Sequence, residues 1–355
     1  MPVPVQRDPE RTRRAIAAWL TARTPGSGPV DVGPVRVPGG AGFSGEILLC
    51  DATRPDGAVE PLAVRVAPTG HRVLPGDNWA DQVRLHGILT GTPVRVAPLL
   101  GHEPDPAVLG APFLVMRRVE GRVPADLPSY HREGWLAELP PDRRRAVWLG
   151  GVEALAAIHR LDPFATGLGF LDRPGPHGGG LAGRLADDAA RLPFYGAEHN
   201  AVATAALARL RSRLPEESGP PRLLWGDARI GNIVYAGESP AAVLDWEMAG
   251  IGAPEADLAW FLHLDRHLSE GIGAPRLPGL PDRAETVAYY EELTGHRVGN
   301  LEYYELYAAF RFCVLTARVT RLLTRTGILP PALDFPLHRN ATRLLSEILA
   351  SRTAP

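Results

Sequence analysis

Apolar residues follow two different patterns along this chain, and the pattern changes after the first third. Short strand-like runs predict a small sheet, with strands at 35–37, 47–50, 62–66 and 113–116. Two helices accompany them, one beginning at Asp8-Pro9-Glu10 and one at 78–89. After Asp142 helical spacing dominates, and it predicts helices at 143–160, 181–191, 201–213, 257–267, 283–293 and 301–325. The fold class is therefore expected to be α+β.

The strongest chemical signal is the segment Trp-Gly-Asp-Ala-Arg-Ile-Gly-Asn, in which Asp227 precedes Asn232 by five residues. Residues 233–244 read as a β-hairpin, and Asp245 follows it directly. A hairpin brings its two ends together, so Asn232 and Asp245 are expected side by side. Phosphoryl transfer needs an oriented nucleophile, and Mg²⁺ prefers hard oxygen ligands. The pattern predicts a kinase-type site with Asp227 as the base and Asn232 and Asp245 as magnesium ligands.

The same residues carry a family resemblance. The segment from Leu224 to Asp265, with Leu-Asp-Trp-Glu-Met and Asp-Leu-Ala-Trp motifs, resembles the aminoglycoside phosphotransferase and choline kinase-like superfamily. The closest branch looks like the kinase-like domains related to those fused to some acyl-CoA dehydrogenases. The resemblance implies a bilobal protein-kinase-like fold. A small β-rich lobe, 1–118, would cover the nucleotide, and a mainly helical lobe, 119–355, would hold the catalytic loop, the metal site and the acceptor-binding region.

The resemblance also implies roles for individual residues. Arg229 matches the place where related kinases put a cation against the transferring phosphate, and a surface or hinge salt bridge is the alternative. Glu247 is expected to join the metal ligands, with an exposed structural glutamate as the alternative. The backbone from Arg117 to Val119 is expected to bind an adenine edge. From the residue types alone, His159 is expected to be a satisfied structural histidine, and Asp257 is expected to brace the catalytic loop and cap a helix.

The segment 37–48 is rich in glycine and lies between strand-like segments of the chain. Its glycines would let backbone N–H groups approach phosphates, and Gly40, Phe43 and Ser44 are the predicted nucleotide-binding residues. A glycine-rich hairpin without a ligand is the alternative.

The chain contains no lysine, so all 38 of its Lys-plus-Arg residues are arginines. Most kinases hold the α- and β-phosphates with a strand lysine that is paired with a helical glutamate. Here Arg65 takes the lysine position and Gln82 the glutamate position, so their contact is predicted to be a hydrogen bond to a neutral amide. Arg65 is the predicted phosphate ligand in this part of the chain. In addition, Trp225 stands where most relatives have histidine.

Composition limits the possible partners. The 355 residues are 45% hydrophobic, enough for a substantial core. A net charge of −2 gives no electrostatic case for nucleic acid, and no apolar run approaches the roughly twenty residues of a membrane span. The first residues lack the apolar core of a signal peptide, so a cytoplasmic protein is expected.

The predicted function is a small-molecule O-phosphotransferase that moves the γ-phosphate of Mg-ATP or Mg-GTP to a hydroxyl group. The acceptor would be a metabolite, a hydroxyacyl thioester or a natural product. Two alternatives stay open. The first is a pseudokinase, because loss of the Lys–Glu pair is what such a protein would show. The second is an enzyme of the same fold that catalyses a nucleotide-independent reaction with Asp227 as base. Retention of Asp227, Asn232 and Asp245 argues for the kinase.

Overall fold

The computed structural model describes residues 7–24, 26, 28–38, 45–70, 72–76, 78–216, 219–330 and 336–351. The chain divides into two compact units. The first comprises Met1–Val73, Asp77–Thr90 and Val96–Val119, and the second Leu74–Gly76, Gly91–Arg95 and Glu120–Pro355. Sheet and helix are both present throughout, so the predicted α+β class is confirmed. The functional division into a nucleotide-covering and an acceptor-binding lobe stays a prediction.

The first unit is built on an antiparallel five-stranded sheet in the order β1-β2-β3-β5-β4. Its strands are β1 Asp31–Val32, β2 Glu46–Thr53, β3 Val59–Val66, β4 Leu99–Glu103 and β5 Phe113–Arg117, and its helices are α1 Pro9–Arg23 and α2 Trp79–Leu89. Asp8 begins α1 by accepting hydrogen bonds from the N–H groups of Glu10 and Arg11. The core forms where Trp19 of α1 packs against Phe113 of β5, with ring centroids 5.2 Å apart.

The second unit is mainly helical. Its helices are α3 Trp135–Glu138, α4 Pro141–His159, α5 Gly180–Tyr195, α6 Ala201–Ser212, α7 Glu255–Leu268, α8 Arg283–Thr294, α9 Leu301–Arg325 and α10 Pro336–Ser351. Two small antiparallel pairs position the site: β6 Arg222–Leu224 with β9 Gly250–Gly252, and the hairpin β7 Ile233–Ala236 with β8 Ser239–Val243. None of the helices in the described ranges has both the length and the apolar composition needed to cross a bilayer.

One strand prediction is wrong. Residues 35–37 form only an isolated bridge between Arg36 and Leu49. Pro34 and Pro38 flank this segment, and proline cannot donate the backbone hydrogen bond that a longer ladder needs.

Candidate active site

The predicted hairpin is present and brings the two halves of the site together. The backbone N–H of Leu244 donates to the carbonyl oxygen of Asn232 at 2.8 Å. Asp245 therefore follows directly beside Asn232, as the sequence predicted. Asp245 has a φ of 56°, in the left-handed region that few residues other than glycine adopt. Such backbone strain persists where the surrounding structure enforces it, and it is commonest at functional sites.

The Asp227 carboxylate lies at the centre of a hydrogen-bond network. Its Oδ2 accepts from the Asn232 side-chain amide at 2.6 Å and from Arg229 Nε at 3.1 Å, and its Oδ1 accepts from Trp260 Nε1 at 2.8 Å. The side chain is still 17% exposed. These donors hold the carboxylate in one orientation while leaving part of it open to a ligand.

The Asn232 amide is oriented by two acceptors. Its nitrogen donates to both the backbone oxygen and the Oδ2 of Asp227, at 3.0 and 2.6 Å. Because only the amide nitrogen can donate, the amide oxygen must point the other way. That oxygen and the Asp245 carboxylate are hard oxygen donors.

This donor set fits a magnesium ion. The described part of the chain contains no group of three or more His, Cys, Asp or Glu side chains that could hold a metal. Magnesium in nucleotide-dependent enzymes, however, is held by one or two carboxylates together with substrate phosphates. An amide oxygen and one carboxylate are compatible with such a site, and the role of Asn232 and Asp245 as magnesium ligands stays a prediction. Glu247 is half-buried two residues after Asp245, and its role as a further ligand stays a prediction.

Arg229 is surrounded by carboxylates. Its Nη1 donates to Asp126 Oδ2, and its Nε donates to Asp227. Burial disfavours the charged guanidinium, but Asp126, Asp227 and Asp245 outweigh burial and raise the pKa of Arg229 above its ordinary value. The arginine is thus permanently charged and points into the acidic centre of the site. Its side chain is only 18% exposed and forms salt bridges to Asp126 and Asp227, so it is not a surface pair. A structural salt bridge and a role against the transferring phosphate both stay predictions.

Asp126 was not found from the sequence. It lies 103 residues before Arg229 in a loop without a recognisable motif, so no local signal marked it. In the structure it holds the second arm of the Arg229 guanidinium.

Gly231 leaves room for this ion pair. A Cβ atom at Gly231 would lie 2.5 Å from Arg229 Nη1 and 2.7 Å from Asp126 Oδ1. Both atoms are side-chain ends and would move, so the pair would separate while the fold survives.

Gly231→Ala is therefore expected to lower turnover by about 10- to 100-fold, because small displacements of a positioning group are costly. Thermal unfolding should change little. The control is Gly250→Ala, since a Cβ there meets nothing within 4 Å. Steady-state rates measured beside unfolding curves test this; equal activity in the two variants would contradict it.

Trp225 and Asp257 brace the loop that carries Asp227. Trp225 is fully buried, and its Nε1 donates to the Leu244 carbonyl oxygen at 2.8 Å, which ties the loop to the end of the hairpin. Asp257 accepts from the backbone N–H groups of Trp225 and Gly226 at 2.6 and 2.9 Å. His159 lies 3.2 Å from Asp257 and 2.7 Å from the Tyr290 hydroxyl. The structural interpretation of Asp257 and His159 is confirmed.

The predicted nucleotide-binding residues lie in the first unit. Arg65 on β3 donates to Gln82 Oε1 of α2 at 2.7 Å, so the predicted bond to a neutral amide is present. The Arg117 side chain binds Glu60, and its backbone N–H already donates to Pro98 at 2.9 Å. That N–H is not available to adenine, and the adenine role of Arg117 and Val119 stays a prediction.

Gly40, Phe43 and Ser44 lie outside the described residues. Their predicted contact with phosphate is therefore not tested by the geometry.

Two histidines on α7 are buried beside Phe312. The ring centroids of His263 and His267 lie 5.7 and 4.6 Å from that of Phe312. Burial and nearby positive charge from His267 and Arg266 lower the pKa of His263 to about 3. Burial, aided by Arg343, lowers the pKa of His267 to about 4.

The free energy of unfolding is expected to fall as the pH is lowered from about 6.5 to about 4. In this window the unfolded chain takes up protons that the folded protein excludes, so each histidine contributes a slope of about 1 kcal/mol per pH unit. Denaturant unfolding at several pH values measures it. Replacing both His263 and His267 with Gln should flatten the slope, whereas exposed His199→Gln should not. A slope unchanged in the double variant would contradict the expectation.

Comparison with known proteins identifies the family. The model of the phosphotransferase enzyme family matches residues 48–295, which is more than half of the chain. The chain belongs to this family. The resemblance predicted from the sequence is confirmed, and membership supports a kinase-type phosphotransferase.

The curated relatives of this phosphotransferase are much longer proteins. The chain is 29% identical over 228 residues to the probable acyl-CoA dehydrogenase IBR3 of Arabidopsis thaliana, covering 58% of this chain and 26% of that protein. It is 34% identical over 159 residues to acyl-CoA dehydrogenase family member 11 of Gallus gallus, covering 44% and 19%. The chain thus spans about a quarter or less of these relatives.

Solved structures show the same fold. A candidate aminoglycoside phosphotransferase from Ralstonia eutropha matches with a TM-score of 0.68 at 22% identity, covering 95% of each chain. The macrolide 2′-phosphotransferase MphH of Brachybacterium faecium matches with a TM-score of 0.54 at 17% identity, covering 96% of this chain and 98% of that one. A thermostable mutant of aminoglycoside phosphotransferase APH(4)-Ia, in complex with AMP-PNP and hygromycin B, matches with a TM-score of 0.58 at 16% identity, covering 96% and 100%. The predicted bilobal kinase-like fold is confirmed.

Proposed function

We propose that this protein is a small-molecule O-phosphotransferase that transfers the γ-phosphate of a Mg-nucleotide to a hydroxyl group. The observation that carries the proposal is the network in which one partly open carboxylate, Asp227, is held by Asn232, Arg229 and Trp260. A base fixed by three donors and open on one side is suited to orienting a substrate hydroxyl.

The step follows from these positions. The acceptor oxygen attacks the γ-phosphorus, its proton passes to Asp227 Oδ1 or Oδ2, and a new O–P bond forms. The bond between γ-phosphorus and the bridging oxygen breaks, and the electron pair leaves with the nucleoside diphosphate. Arg229 supplies positive charge beside the base, where the transferring phosphoryl group gathers negative charge.

Asn232, through its amide oxygen, and Asp245 would hold Mg²⁺, and Glu247 is a further candidate. When bound, the ion neutralises phosphate charge. Arg65 would contact the α- and β-phosphates, and the Gly40, Phe43 and Ser44 segment would cover them. The Val119 backbone would bind the adenine or guanine edge.

The choice of nucleotide rests on the relatives alone. One structural neighbour is described in complex with AMP-PNP and another in complex with GDP and kanamycin. Mg-ATP and Mg-GTP are both proposed donors. The acceptor is proposed to be a hydroxylated metabolite, a hydroxyacyl thioester or a natural product.

A pseudokinase is the second candidate, because the Arg65–Gln82 bond replaces the usual Lys–Glu ion pair. The decisive experiment measures nucleoside diphosphate formation from Mg-ATP and Mg-GTP with pooled hydroxyacyl-CoAs, sugars and aminoglycosides, alongside thermal protection by each nucleotide. Acceptor-dependent turnover supports the kinase. Thermal protection by nucleotide without turnover favours the pseudokinase, and the absence of both favours nucleotide-independent chemistry.

A further inference from the structure

Trp260 connects the predicted base to a second charged group. Its Nε1 donates to Asp227 Oδ1 at 2.8 Å, and the side chain is only 2% exposed, so the indole has one orientation. The guanidinium carbon of Arg311, on α9, lies 5.0 Å from the centroid of the Trp260 ring. One indole therefore separates the Asp227 carboxylate from a guanidinium group.

Arg311 is held by stacking and has no hydrogen-bonded partner in the described part of the chain. It lies over both Trp260 and Tyr307, the latter at 5.6 Å, and no described carboxylate lies within 4.0 Å of its nitrogens. None of those nitrogens is both fully buried and unpartnered, so each keeps some exposure to solvent. The planar fork is thus positioned, and its donors are available to a ligand.

Asp188 is close enough to Arg311 for their charges to interact, but it is hydrogen-bonded to a different residue. The Tyr307 hydroxyl donates to Asp188 Oδ2 at 3.2 Å, which gives that carboxylate a different partner. Burial raises the pKa of Asp188, with Arg311, Arg191 and Arg184 opposing the shift. Three arginines interact with this one acid, and among the described residues only Arg191 has a second carboxylate within 4.0 Å, that of Asp187 at 3.8 Å. In this group of described residues, Arg311, Arg191 and Arg184 thus outnumber the carboxylates of Asp188 and Asp187.

A cationic acceptor would bind unfavourably beside Arg311 and the two aromatic rings that it covers. The aromatic faces that could attract an ammonium group, those of Trp260 and Tyr307, already carry the Arg311 guanidinium. A second cation would meet like charge. By contrast, the guanidinium fork matches the geometry of a carboxylate or a phosphate, with which it forms paired hydrogen bonds.

We propose that Arg311 is the acceptor-recognition residue of this enzyme, and that it binds an oxyanion, carboxylate or phosphate, on a substrate whose hydroxyl reaches Asp227 past the edge of Trp260. This inference rests on the proposed phosphotransferase function and narrows it. The acceptor class becomes a hydroxylated anion, and polycationic aminoglycosides are excluded.

The test uses matched acceptors that differ in charge. These are 3-hydroxybutyrate and its amide for the carboxylate, glucose 6-phosphate and glucose for the phosphate, and kanamycin as the polycation. Turnover with Mg-nucleotide and thermal unfolding are measured for the full chain and for Arg311→Gln and Arg311→Lys. Arg318→Gln is the control. Arg318 lies on α9, as Arg311 does, but its guanidinium carbon lies 4.2 Å from the ring of Phe194 and not over Trp260.

The wild type is expected to phosphorylate the anionic acceptor of at least one pair, or to be stabilised by it against thermal unfolding. Arg311→Gln should raise KM for that anion by about 10- to 100-fold, the effect of losing hydrogen bonds to a charged group, with kcat and the neutral partner changed much less. Arg311→Lys should recover part of the loss, and Arg318→Gln should match the wild type. Which pair responds identifies carboxylate or phosphate.

Three results would overturn the inference: preference for a neutral or cationic acceptor, equal loss for both members of a pair in Arg311→Gln, or neither turnover nor stabilisation with either anion. Failure of the proposed function has a different signature. In that case, turnover is absent with every acceptor and Mg-nucleotide gives no thermal protection, even if an anionic probe still stabilises the wild type through Arg311.

Discussion

Asp227→Ala is expected to lower acceptor-dependent turnover about a thousand-fold, while thermal protection by Mg-nucleotide persists. A positioned general base contributes about 10²- to 10⁴-fold, and this carboxylate also orients Asn232, Arg229 and Trp260 by accepting from all three. Nucleotide contacts predicted for the first unit are not touched by the change. Rates and unfolding curves measured on the same preparation separate lost chemistry from lost folding.

A second variant, Asp227→Asn, keeps the size of the side chain but places an amide NH₂ among three donors. It should lose as much activity as Asp227→Ala. The control is Asp162→Ala, which removes a surface carboxylate that accepts from the N–H groups of Phe164 and Ala165. Turnover in this control should stay within about two-fold of the wild type. More than a tenth of wild-type activity in either Asp227 variant would show that this carboxylate is not the base.

Asp245→Asn is expected to lower kcat/KM by about 100-fold or more and to raise the Mg²⁺ concentration needed for half-maximal turnover. The substitution removes the carboxylate proposed to bind the ion together with Asn232, and a neutral amide is a much weaker magnesium ligand. Asparagine is chosen because it tolerates the left-handed backbone at this position, where φ is 56°. Titrating Mg²⁺ at saturating nucleotide gives the measurement.

Glu247→Gln is the variant to be compared with Asp245→Asn. A comparable shift in the Mg²⁺ dependence would place Glu247 among the metal ligands, and wild-type behaviour would leave it a structural glutamate. Chelation of Mg²⁺ should abolish turnover in the wild type. A normal Mg²⁺ dependence in Asp245→Asn would remove Asp245 from the proposed site.

Much of the fold follows from local pattern. The long apolar periodicity of 301–325 predicts α9 at the bounds that the structure gives, and the apolar runs predict β2, β3 and β5 to within a few residues. The missed β4 contains Gly101 and His102 and lacks a clean alternation. Helix α10 had a usable signal, since buried Ala341, Leu344, Leu345 and Ile348 recur at helical spacing.

The site residues likewise fall into those whose neighbours local sequence predicts and those whose partners it does not. Neighbours in sequence, Asp227 with Asn232 and the hairpin that ends at Asp245, could be placed together because turn geometry is local. The partners of Arg229 and Asp227 on distant elements could not. Asp126 and Trp260 reach them across 103 and 33 residues, and such pairings are set by tertiary packing that a single sequence does not encode locally.

The most direct test follows the phosphoryl group itself. Protein, Mg²⁺ and nucleotide labelled at the γ-phosphate are incubated with an acceptor pool, and label is sought in the acceptor as a phosphate ester. Transfer to a hydroxyl group predicts labelled ester and nucleoside diphosphate in equal amounts, both lost in Asp227→Ala. Nucleotide that is bound and returned intact, or diphosphate formed with all label in free phosphate, would contradict transfer to a hydroxyl group.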